Sequence, residues 1–119
     1  MNSIQLVGRL TKDPETTETK GGTKVCKLRL AVPRRPKDGA DQSPVYVDVT
    51  VYGPQADPVA TYTAKGRQVA VSGRLEYREW RDDTNGFRSK HEVVADDVQF
   101  LGTATPREAE QAEETASVA

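Results

Sequence analysis

A chain of 119 residues with 17 Lys or Arg against 18 Asp or Glu has room for one domain and a modest core, and a net charge of −1 excludes polyanion binding by bulk charge alone. Its single cysteine excludes an internal disulfide framework and a cysteine-based zinc site, and no apolar run reaches the length of a membrane span or secretory leader. The charge is uneven, because residues 103–119 hold Arg107 against Glu108, Glu110, Glu113 and Glu114, a net of −3 that leaves the body at +2.

Residues 3–10 alternate, with Ile4, Leu6 and Leu10 on one side and Gln5 and Arg9 on the other, and Gly8 marks a bulge or sharp bend in this first strand. Residues 11–23 are polar with a Gly21-Gly22 turn signal, a connection with room for a short irregular strand. Residues 23–32 read as the second strand, with Cys26, Leu28, Leu30 and Val32 inward and Lys27 and Arg29 outward. Cys26 is then a small core residue rather than a reactive thiol. Residues 33–44 form a long polar loop, expected to be exposed and mobile, carrying Arg34, Arg35 and Lys37.

Residues 45–52 give the cleanest alternation: Val45, Val47, Val49 and Val51 face a core, while Tyr46, Asp48, Thr50 and Tyr52 face away. Residues 53–64 are the one plausible helix, with Pro58 tolerable in its first turn, Tyr62 packing beneath the sheet, and Lys65-Gly66 closing it. Residues 67–80 and 90–101 then form a hairpin around Asp82-Asp83-Thr84-Asn85-Gly86, where Asn-Gly is a strong turn signal. In its first arm Val69, Val71, Gly73, Leu75 and Tyr77 share the core parity, and Ala70, Ser72, Arg74, Glu76, Arg78 and Trp80 share the solvent parity. Residues 103–119 have no apolar stripe and read as a disordered acidic tail.

Five strands with one short helix between the third and fourth is the order of an all-β oligonucleotide-binding barrel (OB-fold), here over residues 1–102 with long hairpin loops and a tail at 103–119. Trp80, the only tryptophan, lies beside Arg74 and Arg78 on the polar side of its strand. Flat aromatics between guanidinium groups stack nucleobases and neutralise phosphates. From this strand alone, a base-stacking surface and an oligomer or rim contact are equally open.

The chain resembles the bacterial single-stranded DNA-binding protein family over about residues 1–102. The likeness rests on Val7-Gly8-Arg9-Leu10-Thr11-Lys12-Asp13-Pro14-Glu15, on Tyr52-Gly53 with the short helix and Lys65-Gly66, and on Val69-Ala70-Val71-Ser72-Gly73-Arg74-Leu75 followed by Arg78, Trp80 and Asn85-Gly86. The resemblance implies an OB-fold that binds single-stranded DNA without sequence preference in replication, recombination or repair. It also implies a homo-oligomer, a tetramer ahead of a dimer, in the cytoplasm at the nucleoid. Stacking positions carry over onto Tyr46, Tyr52 and Trp80, whereas Tyr77 has the opposite parity and is left out. The accompanying phosphate track is expected from Arg9, Lys27, Arg29, Arg34, Arg35, Arg74, Arg78, Arg81 and Arg88, with no cofactor and no metal.

Two departures from the family pattern stand out. Arg34-Arg35-Pro36 occupies the place of a further aromatic after the second strand, and the sequence ends Ala116-Ser117-Val118-Ala119 without an acidic, apolar tip. The expectation is therefore a short-tailed accessory paralogue, or a plasmid or phage copy, that does not recruit partners through a tail tip.

Two other classes compete. Catalysis has little support, because His91 is the sole histidine and Asp82-Asp83 and Asp96-Asp97 lack any nucleophile and base around them. A protein-binding barrel of the primosomal type, dimeric and weak towards single strands, is the other alternative, and an RNA partner would satisfy the same stacking chemistry.

Overall fold

The alternating segments become strands β1 (Ile4–Leu10), β2 (Glu15–Glu18), β3 (Lys24–Val32), β4 (Val45–Tyr52), β5 (Gln68–Asp82) and β6 (Gly86–Leu101) in a computed structural model that describes residues 1–40, 42–84 and 86–102. β1 pairs with β5, β5 with β6, β6 with β4 and β4 with β3, and β3 returns to β1 through Arg9↔Ala31 and Leu10↔Leu30. The ring is thereby closed. Its pairings are antiparallel except β4 with β6, which run parallel from Val49↔Val93 to Val51↔Ala95. β2 extends the outer edge of β3, so the connection expected at residues 11–23 does hold a short strand.

Inward-facing Leu10, Cys26, Leu28, Leu30, Val49, Val51, Val69, Val71 and Val93 fill the barrel. One end is closed by a 3₁₀ turn (Gly53–Gln55) and α1 (Ala56–Tyr62), which bury Ala56 and Val59; Pro58 sits in the first turn of α1, where its missing N–H costs nothing. Tyr62 leans on Phe100 with ring centroids 6.2 Å apart. Burial, with the Asp57 charge adding to it, pushes the Cys26 thiol up to about 11, so it stays protonated and inert at neutral pH.

Two glycines set the shape. No bulge occurs at Gly8. A Cβ there would lie 2.7 Å from the Ala31 carbonyl oxygen, so Gly8 permits the close crossing of β1 and β3 that shuts the barrel. The bulge lies instead between Ser72↔Asp97 and Gly73↔Ala95, leaving Asp96 unopposed.

β6 stays paired with β4 from Ala95 to Val93, and from Leu75↔Val93 onward β5 and β6 run on as a two-stranded ribbon, where two sequence expectations change. Leu75 and Tyr77, assigned to the core by parity, are exposed, because among the described residues no element packs on the ribbon's reverse face and the buried run of β5 ends at Gly73. The arms do not stop at residues 80 and 90: pairing continues through Trp80↔Arg88 and Arg81↔Phe87 to Asp82↔Gly86, which shortens the turn. On β4, Thr50 is buried despite its outward parity because β6 pairs alongside it and Glu92 bonds its hydroxyl, whereas Val45 is exposed at the strand's start. The expected acidic tail at residues 103–119 lies outside the described residues.

Candidate nucleic-acid interface

The outer face of β3, β4, β6 and β5 gathers most of the chemistry. Alternation on β4 turns Tyr46 and Tyr52 outward, and both are about half exposed, as is Trp80 on β5. Strand register arranges the cations around them in transverse rows. Arg9, Ala31 and Tyr46 share one row, and Arg29 faces Asp48 in the next. Lys27, Thr50, Val94 and Arg74 form another, and on the ribbon Arg78 faces Lys90 and Trp80 faces Arg88. Two of these cations cap the aromatics directly: the guanidinium of Arg29 lies 5.3 Å from the Tyr46 ring centre and that of Arg78 lies 5.6 Å from Trp80. A base can then stack on a ring that is already held in place.

Acidic side chains lie among these cations. Asp48 accepts from Arg29 Nη1 at 3.3 Å and pairs with Lys90 Nζ at 2.8 Å, which ties β3, β4 and β6 together. Burial pushes the Asp48 carboxyl up, but its hydrogen bond and charge interaction with Lys90, together with Arg29, outweigh that and hold it below its ordinary value. Glu92, only 7% exposed, accepts from Thr50 Oγ1 at 3.3 Å and sits 3.7 Å from Arg78 Nε. Buried Thr50 and Glu92 thus satisfy each other. Arg74 is held by Glu76 (2.8 Å) and Asp96 (3.3 Å), and Arg88 by Asp82 (2.6 Å). These exposed pairs add little to stability; their effect is to aim the guanidinium groups and lower the net potential of the face. A cleft between these rows is lined by Lys12, Lys27, Asp48, Arg78, Lys90 and Glu92.

Exchanging Asp48 for asparagine removes the acid that pairs with Arg29 and Lys90 and would compete with a phosphate for them. Asp48→Asn is expected to raise affinity for oligo(dT) several-fold at low salt. The log–log salt slope should steepen by about 0.7 for each cation freed to contact phosphate. A salt titration of both proteins checks this, and an unchanged slope would mean that Arg29 and Lys90 do not reach the strand.

Not every residue assigned to the phosphate track from sequence joins this face. Arg81 lies on the ribbon's opposite side, because it pairs with Phe87 and neighbours Trp80 in sequence. Arg34 and Arg35 lie in the exposed segment between β3 and β4, near the Lys37–Ala40 bridge. Arg9 stands at the edge and donates to the Gly66 carbonyl at 3.3 Å. Conversely, sequence reading omitted Lys12 and Lys90, which line this face. Lys90 was legible only through the register that sets it opposite Arg78.

Comparison with known proteins gives a consistent result. A model of the single-strand binding protein family matches residues 1–101. Single-stranded DNA-binding protein 3 of Clostridium acetobutylicum is 43% identical over 102 residues, spanning 85% of this chain and 71% of the relative. A single-stranded DNA-binding protein of Clostridium tetani is 45% identical over 103 residues, spanning 85% and 70%. Among solved structures, a Plasmodium falciparum SSB complex with ssDNA superposes with a TM-score of 0.75 at 27% identity, over 86% of this chain and 96% of that one.

Proposed function

The chain belongs to the single-strand binding protein family, and on that premise we propose that it protects single-stranded DNA by stacking bases on Tyr46, Tyr52 and Trp80 while arginines and lysines of the same face hold the phosphates. The carrying observation is that these three exposed rings share one outer face with Arg29 and Arg78, each of which covers a ring. It is a non-enzymatic DNA-binding protein. Duplex DNA hides its base faces, so a surface of this design prefers single strands without reading sequence.

Of the nine track residues, Lys27, Arg29, Arg74, Arg78 and Arg88 best support direct phosphate contact, because register sets them around the aromatics. Arg9, Arg34 and Arg35 would guide the strand at the margin. The protein would act at the nucleoid in the cytoplasm, in replication, recombination or repair; among the described residues no helix is long and apolar enough to cross a membrane.

A homotetramer built from two dimers fits the fold. Among the described residues, β1 over Ile4–Gly8 pairs with β5 alone, so its other edge can receive a strand from a second copy. Exposed Val7 lies on the adjacent outer surface with Gln5, Ala70 and Ser72.

Competition with a labelled oligo(dT) tests the reading. An unlabelled single strand should displace the label at a concentration roughly a hundredfold below that of a duplex of equal length, the margin given by stacked bases worth about 1–3 kcal/mol each, a range known from this very class of binder. Equal competition by duplex would contradict stacking. Sedimentation of the same sample should give four copies.

A further inference from the structure

The β5–β6 ribbon has a second face that the preceding site does not use. Register sets Arg81 opposite Phe87 and Tyr77 opposite His91, all pointing away from the Trp80 side. Phe87 is 73% exposed, more than any other aromatic ring among the described residues, and the Arg81 guanidinium lies 5.3 Å from its ring centre. Among Arg74, Arg78, Arg81, Arg88 and Lys90, Arg81 alone has no ion-pair partner among the described residues.

The tip that carries these two residues is held. Asp82 accepts from the Thr84 backbone N–H at 3.2 Å, from Thr84 Oγ1 at 3.1 Å and from Arg88 Nε at 2.6 Å, and the strands pair to Asp82↔Gly86. Glu79, of the same parity on β5, accepts the Tyr77 hydroxyl at 2.7 Å. An open ring beside an unpaired guanidinium offers one partner for a base and one for the adjoining phosphate. An apolar protein patch would match the ring but would bury the guanidinium without a counter-charge.

We propose that Phe87 and Arg81 form a second stacking platform, so that a single strand leaving Trp80 crosses the hairpin tip and continues along the reverse face. This rests on the single-strand-binding reading above. Trp80 would take one base on the barrel side, Arg88 and Arg81 would flank the backbone at the crossing, and Phe87 would take a base beyond it.

The test places the chain's one tryptophan at the new site. In full-length protein, the double substitution Trp80→Phe with Phe87→Trp should show fluorescence quenching by a long oligo(dT) of about 16 nucleotides. An oligo(dT) of about 4 should quench the wild-type protein, through Trp80, more than the double variant. Separately, Phe87→Ala and Arg81→Ala should each weaken the long oligo(dT) roughly five- to tenfold while leaving the short one and the melting temperature unchanged. Wild-type quenching with no quenching in the double variant would overturn the second platform and leave the first intact. So would unchanged DNA affinity in Phe87→Ala with a shift in sedimentation, which would make the tip a contact between copies. Failure of the wild-type protein to bind any oligo(dT) would instead strike the reading on which the proposal rests.

Discussion

Replacing Tyr46, Tyr52 and Trp80 together by alanine should weaken oligo(dT) binding by at least a hundredfold with the barrel still folded. Each ring is about half exposed and none belongs to the buried cluster, so truncation removes stacking surface without opening a core cavity. At about 1–3 kcal/mol per stacked base, the range established for proteins of this class, three lost platforms give roughly 3 kcal/mol at the least, and 1.4 kcal/mol is tenfold. The single variants should not simply add, because in the proposed mode the rings would share one strand of DNA, and Arg29 and Arg78 lose their stacking partners with Tyr46 and Trp80. Residual binding should be almost wholly electrostatic and vanish at moderate salt. Affinity measured by polarisation at two salt concentrations, beside a circular dichroism melt, checks the expectation. A triple variant that binds like the wild type would place the DNA on another surface.

Gly73→Ala should be the most damaging single methyl in the chain, costing about 3 kcal/mol and lowering the melting temperature by roughly 15 °C. The added Cβ would lie 2.1 Å from the Val94 carbonyl oxygen and 2.9 Å from the Ala95 Cα. Those are backbone atoms of β6, so no rotamer change relieves the clash and the strands must separate. Separation happens where barrel becomes ribbon, so the variant should also misplace Trp80 and lose affinity. Gly22→Ala is the control: its φ is +85° and nothing lies within 4 Å, so it pays only for the left-handed backbone, about 1 kcal/mol. Comparable melting temperatures for the two variants would refute the close approach at the bulge.

The barrel was largely legible because its strands have one wet and one dry face. In β4 the run of valines alternating with Tyr46, Asp48, Thr50 and Tyr52 gave both the strand and the exposure of its tyrosines, and Trp80 was read as exposed by the same parity. Parity fails where burial depends on a distant strand. Thr50 is covered because β6 pairs beside β4 and brings Glu92, 42 residues away, onto its hydroxyl, which local alternation does not encode. It fails again past Gly73, since a ribbon outside the barrel is wet on both faces and Leu75 and Tyr77 have no core to enter. The opposite orientation of Arg81, by contrast, was present in the sequence as its odd spacing from Trp80. A count of nearby arginines hid it. The pairing of cations with Asp48, Glu76, Asp82, Glu92 and Asp96 needed register across β3, β4, β5 and β6, so sequence gave the cations but not their restraint.

The proposed stacking surface puts Trp80 in the path of the single strand. Its fluorescence, titrated with oligo(dT) at rising salt beside a duplex of equal length, addresses that directly, since the chain has no other tryptophan. Quenching by the single strand and little by the duplex is expected, with affinity falling by about 0.7 log units per phosphate contact for each tenfold rise in salt. No quenching by a single strand that demonstrably binds the folded protein would contradict it, and would move the interface away from Trp80.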